Sequence, residues 1–156
     1  MKSLVFLLGL VLLVTSCRNE KDETADADSV TIVVPDSLLL YDVDAEAKTK
    51  KQYTEIPSDS VSVQHVINGL NQKYPEVKLV LEKQSNDTVY VSFADNGDYL
   101  GERMGSAGSA AYMADAVLNL TGVKGVNQVK FNMQTHSHVS GGVFSKESFE
   151  DFKEIK

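Results

Sequence analysis

His136-Ser137-His138 is the residue set in this chain best suited to metal chemistry. In an extended segment residues two apart point the same way, so both imidazoles would face one ion. Zinc takes histidine nitrogen readily and wants three or four ligands. His65, Asp95, Asp98 and Glu102 are the other donors of suitable type, but their spacing does not bring them to the pair. The competing reading is two solvent-exposed loop histidines. Asp95-Asn96-Gly97-Asp98 starts like a calcium loop but lacks the alternating oxygen ligands and the closing Glu, so it reads as a hydrophilic turn. Gly101 to Gly108 is glycine-rich without the Lys-Ser/Thr that closes a phosphate loop. Ser140-Gly141-Gly142 is a turn and not the Gly-x-Ser-x-Gly of a nucleophile elbow. Asp42 and Asp44 read as a solvated strand end. The expectation is a protein with no catalytic residue and no cofactor, and with His136 and His138 as the one candidate metal pair.

The other chemically distinctive residue is Cys17, the single cysteine. It allows no intramolecular disulfide, so a disulfide framework is excluded. Met1-Lys2-Ser3 precedes an apolar run, Leu4 to Val14, followed by Thr15-Ser16. A short basic start, an apolar stretch of about a dozen residues and small residues before a cut make a secretory signal peptide. The run falls short of the about 20 apolar residues that span a bilayer. Val14-Thr15-Ser16-Cys17 resembles the bacterial lipobox. That resemblance implies cleavage before Cys17, a diacylglycerol on its sulfur and an acyl group such as palmitate on its new amine. Two or more acyl chains anchor stably, since each buried CH₂ contributes about 0.8 kcal/mol.

Charge narrows the partners. The chain has 22 acidic and 15 basic residues, a formal net charge of −7. Cleavage removes Lys2 and makes the balance more acidic. The acidic excess argues against nucleic acid and against electrostatic adhesion to anionic lipid. Tryptophan is absent, which argues mildly against a sugar platform. Tyr41, Tyr53, Tyr90, Tyr99 and Tyr112 are candidates for an interaction surface, where Tyr is favoured.

The elements that must position these residues follow from periodicity. Arg18 to Ser29 carries five acidic residues and no aliphatic larger than Ala, so it reads as a tether. Val30 to Val34 and Ser37 to Val43 read as strands, Asp44 to Lys51 as an exposed turn, and Tyr53 to Pro57 as a short extended piece. Ser58 to Ser60 offers N-caps for a helix with Val63, Val66, Ile67, Leu70 and Tyr74 on one face, ended by Pro75. Val77, Leu79 and Leu81, a turn at Ser85 to Asp87, then Val89, Val91 and Phe93 predict a hairpin. After a loop, Ser106 to Thr121 reads as a second helix. Ala107, Ala110, Ala111, Ala114, Val117 and Leu118 form its inner side, and Gly122 its C-terminal stop. Val126 to Met133 is a last strand. Phe149, Phe152 and Ile155 are spaced for a short docked helix.

Several phrases resemble the GerMN domain of sporulation and spore-germination proteins. They are Leu39-Leu40-Tyr41, Val66-Ile67-Asn68-Gly69-Leu70, Val89 to Phe93, and Leu120-Thr121 through Val126 to Phe131. The passage from Pro75 to Asp87 departs from the family, being shorter and different. The resemblance covers roughly Val30 to Gly142. It implies a binding or assembly role outside the cytoplasmic membrane, and it transfers no active-site residue.

The whole reads as an α+β protein, one compact domain with a mixed sheet and two main helices packed on one face. Residues 1–16 are the signal peptide, 17–29 the lipidated cysteine and tether, 30–142 the GerMN-like domain, and 143–156 the tail. The expected function is an adaptor in an envelope complex, not an enzyme. It would be held at a membrane, the outer one foremost, through lipid on Cys17, and would bind another envelope protein or copies of itself. The alternative is a metal- or small-ligand-binding lipoprotein using His136 and His138.

Overall fold

The computed structural model describes residues 33–53 and 56–156. The signal peptide, Cys17, the tether and the expected strand residues Val30 to Ile32 lie outside the described residues. Val33 and Val34, the rest of that expected strand, are irregular.

Strands β1 (Tyr41–Asp44) and β2 (Thr49–Gln52) pair antiparallel, with Lys48 at φ 50° in the turn between them. The expected exposed turn over Asp44 to Lys51 is thus corrected to the four residues Ala45 to Lys48. Asp44 Oδ1 accepts from Glu46 N and Ala47 N, so the last residue of β1 fixes the start of the turn.

Helix α1 (Val63–Lys73) is capped by Ser62, not by Ser58 or Ser60, which form a 3₁₀ turn. Ser62 is extended and its hydroxyl accepts from His65 N. His65 Nδ1 accepts in return from Ser62 N, a reciprocal capping box. Pro75 bars helical geometry at Tyr74, and the helix stops there. Val63, Val66, Ile67 and Leu70 form the buried stripe.

Strands β3 (Leu79–Ser85) and β4 (Thr88–Phe93) form the expected hairpin, with Asn86 at positive φ in its turn. A π-helical turn, Tyr99–Arg103, leads into α2 (Gly105–Leu120). Gly105 joins the two at φ 72°, a conformation that a side chain would strain. Strand β5 (Gln128–Asn132) returns parallel to β4. Strand β6 (Gly142–Ser145) pairs antiparallel with β5.

Residues after 145 correct the expected docked helix. Lys146–Phe149 is a single 3₁₀ turn, and β7 (Lys153–Ile155) pairs parallel with β2. Backbone groups along β2 outcompete the helical spacing of three apolar residues. Segment 143–156 is therefore integral to the fold.

The result is an α+β fold whose strands divide into two mixed sheets, ordered β1-β2-β7 and β3-β4-β5-β6. Both helices lie on the inner face of the four-stranded sheet, against Leu79, Val89, Val91, Phe93, Val129 and Phe131. Helix α2 also meets β1, and so lies between the two sheets. Its inner side differs from the small-residue expectation. Ala107 and Ala110 are exposed, whereas every residue from Tyr112 to Leu120 is buried.

Because its second half is buried all round, α2 carries polar residues inward. Asp115 is 1% exposed. Its Oδ2 accepts from Tyr74 Oη at 2.8 Å and meets Lys73 Nζ at 2.6 Å, and its Oδ1 accepts from Asn119 Nδ2 at 2.8 Å. Asn119 then acts as a substitute strand. Its Oδ1 accepts from Leu40 N at 2.7 Å and Tyr41 N at 2.8 Å, and its Nδ2 approaches Tyr41 O at 3.1 Å. Asn71 clasps β3 in the same way, accepting from Leu79 N at 2.7 Å and donating to Leu79 O at 2.8 Å. That clasp fills a position on the free edge of β3, which would otherwise invite another strand.

Two outcomes follow from this network. Asn119→Ala leaves buried backbone groups of Leu40 and Tyr41 without partners and should cost about 2–4 kcal/mol, read as a lower urea midpoint. Burial pushes the Asp115 carboxyl above its usual 3.8, against the opposing pull of Lys73, Tyr74 and Asn119. The folded state thus holds this proton more tightly than the unfolded chain. The stability it contributes is complete below the usual value and is lost as pH rises through the raised one. Measured by urea unfolding across a pH series, the stability of the native chain minus that of Asp115→Asn should fall as pH climbs above about 4. A flat difference would refute the raised carboxyl.

Candidate functional site

The histidine loop is built by contacts far apart in sequence. His136 N donates to Val139 O at 2.9 Å, so the chain doubles back across Ser137 and His138. The extended chain on which the shared-face expectation rested is replaced here by a bend at Ser137 and His138. The His136 side chain is 9% exposed and lies against Gly101 of the π-helical turn. Its Nε2 sits 3.1 Å from Asn96 O. A carbonyl only accepts, so Nε2 carries the proton. Its Nδ1 lies 3.5 Å from Glu102 Oε1. Ser137 N and Oγ each donate to the Glu102 carboxylate at 2.9 Å, and these bonds hold it below the usual carboxylate range, helped by His136 and His138. His138 is exposed at the turn. Asp95 serves the loop backbone, accepting from Gly97 N and Tyr99 N. His65 serves the α1 cap. Among the described residues no group of three or more His, Cys, Asp or Glu is placed to hold a metal.

The outer face of the four-stranded sheet presents a transverse row that sequence reasoning missed. Lys83, Tyr90, Lys130 and Val143 are successive cross-strand partners on β3, β4, β5 and β6. Lys83 Nζ stands 4.7 Å and Lys130 Nζ 5.7 Å from the Tyr90 ring centroid. Both cations are drawn to the negative face of the ring. A register shift between Leu81 and Lys83 sets Lys83 opposite Tyr90. Val143 is 54% exposed, and Val80, whose partner is Ser92, is 44% exposed. Glu82 accepts from Asn132 on the neighbouring strand. The signal in the sequence was Tyr90 alternating with the buried Val89 and Val91. The two lysines come from strands 47 positions apart, so only the pairing reveals them.

A groove of about 630 Å³ runs between α1 and the β1–β2 side. Leu38, Leu39, Tyr53 and Ile56 supply its apolar lining, with Lys51 and Lys73 as its cations. At its base the helix comes so close to the Leu38 carbonyl that a Cβ on Gly69 would lie 2.3 Å from the oxygen. Of the five expected interface tyrosines, Tyr53 is exposed at this groove, Tyr90 lies on the sheet face and Tyr112 is fully buried. Tyr112 Oη finds no partner among the described residues, and burial pushes its ionisation up.

Searches of family models, of curated proteins and of solved structures returned no match to this chain.

The seat of His136 makes one expectation concrete. A Cβ on Gly101 would lie 2.2 Å from His136 Cβ, so Gly101→Ala must expel the imidazole and break its contact with Asn96. The variant should lose about 1–3 kcal/mol and show His136 ring resonances moved to solvent-exposed values by NMR.

Proposed function

We propose that this protein is a lipid-anchored adaptor of a bacterial envelope, tethered through acylated Cys17 and docking a partner protein on the outer face of its four-stranded sheet. The observation that carries the docking surface is the Lys83–Tyr90–Lys130–Val143 row. It sets two lysines, an aromatic ring and an exposed valine in one line on a chain whose net charge is −7. Tyr is enriched at interface cores, while charges at the rim steer the encounter. The favoured partner surface carries carboxylates flanking an apolar patch. A second copy meets this requirement only by offering a different face, because two lysine rows brought together would repel.

The anchor reading is supported by the leader and by Val14-Thr15-Ser16-Cys17. The GerMN resemblance supports assembly as the role. Its phrases fall on the approach to β1, on α1, on β4, and from the end of α2 to β5, positions that build the core and frame the outer sheet face.

The test is cross-linking in living cells with the full chain, followed by purification and mass spectrometry, alongside Lys83→Glu with Lys130→Glu. The native chain should give one reproducible envelope partner and carry acyl groups on Cys17. Reversing both charges should weaken capture about tenfold while leaving the melting curve unchanged. Equal capture by the reversed variant would place the docking surface elsewhere, and an unmodified Cys17 would remove the anchor.

A further inference from the structure

We propose that the groove between α1 and the β1–β2 side binds a single acyl chain bearing an anionic head, taken from the membrane to which the protein is tethered. This rests on the lipid-anchor reading for the source of the ligand, and on the groove itself for its chemistry.

The lining has two parts. Leu38, Leu39 and Ile56 are only partly buried, and Tyr53 is 52% exposed, so the groove offers water apolar surface. Burying such a surface under a hydrocarbon chain gains about 25 cal/mol per Å². The second part is cationic. Lys51 is exposed, and Lys73 is partly exposed beyond its bond to Asp115. Lysine is a compact charge that suits a carboxylate or a phosphate. The Gln52 and Gln72 amides add neutral donors beside them. The volume of about 630 Å³ lies within the range of small-molecule sites.

Chain length supplies the source. Val33 lies five residues before Leu38 of the groove lining, and Cys17 lies sixteen residues before Val33. Even fully extended, a segment of that length spans at most about 58 Å. An acylated Cys17 therefore keeps the groove close to the lipid surface. A freely diffusing protein would meet such amphiphiles only at their low aqueous concentration.

The experiment uses the purified, acylated full chain in vesicles of phosphatidylcholine, with a diazirine analogue of palmitate as the probe. After illumination, peptide mass spectrometry maps the label. We expect labelling on the segments carrying Leu38 to Ile56 and Gly69 to Lys73, displaced by palmitate but not by hexadecanol or inorganic phosphate. Lys51→Glu and Tyr53→Asp, both at exposed positions, should each reduce labelling about tenfold with unchanged circular dichroism. Label spread evenly, label centred on the sheet face, equal displacement by hexadecanol, or full labelling of both variants would overturn the proposal. The mass of the Cys17 peptide reports the anchor separately. An acylated chain that does not label in the groove overturns this inference and leaves the anchor standing. A chain without acyl groups that still labels there supports the groove and removes the anchor.

Discussion

A carboxylate shut away from water must be matched by its neighbours, and Asp115 draws those neighbours from both helices. Lys73 and Tyr74 come from the end of α1, and Asn119 comes from one turn further along α2. An unmatched buried charge costs several kcal/mol, and removing one partner of a buried pair costs about 3–5 kcal/mol. The two helices therefore have few ways to sit on each other. Apolar packing alone tolerates sliding, since Leu, Val and Ala contacts are broad. Tyr74 adds to the constraint from the other direction, with its ring edge-on to Tyr112 at 5.0 Å and its hydroxyl on Asp115.

The same network decides where the smaller sheet goes. Asn119 spends one amide face on Asp115 and the other on the backbone of Leu40 and Tyr41. A side-chain amide has the donor and acceptor pattern of a peptide group, so it continues a ladder that no strand completes. Strand β1 is thereby fixed to α2, β2 is fixed to β1, and β7 to β2. The C-terminal strand owes its place to a polar cluster in the C-terminal half of the second helix. On the other side, Asn71 ends the four-stranded sheet by occupying Leu79. Two asparagines thus perform opposite tasks with the same geometry, one recruiting a strand and one closing an edge.

Much of this was legible in the sequence. The alternation Val89, Val91, Phe93 and the spacing Val63, Val66, Ile67, Leu70 place β4 and α1, because each has one apolar face against a polar one. Strands β2 and β7 were not legible, because Thr49-Lys50-Lys51-Gln52 and Lys153-Glu154-Ile155 bury almost nothing and are held by backbone pairing. The inner side of α2 was misread for a related reason. Its small residues suggest close contact, but the first turns project outward and the second half is surrounded, so no single stripe exists. The readable signal there was Asp115 and Asn119, four residues apart among apolar neighbours, a spacing that stacks two polar groups on one side of a helix. Of the site residues, His136 was found without its partners, since Asn96 and Glu102 lie 40 and 34 positions earlier.

The groove and the buried network share a segment, and this couples them physically. Leu38 to Leu40 line the groove, and Leu40 N is held by Asn119 while Leu38 N donates to His65 O. The apolar floor is therefore pinned at both ends by polar bonds, one to each helix. Lys73 has a similar double role, with its ammonium on Asp115 inside and its remaining surface on the groove wall. An anion bound in the groove would draw on the charge that balances Asp115. A neutral occupant would leave that balance untouched. Tension arriving along the chain from an anchored N-terminus would meet the Leu38 and Leu40 bonds before it reached any strand of the larger sheet. The larger sheet, with its outward Lys83–Tyr90–Lys130–Val143 row, belongs to a part of the fold held by its own ladders and by α2.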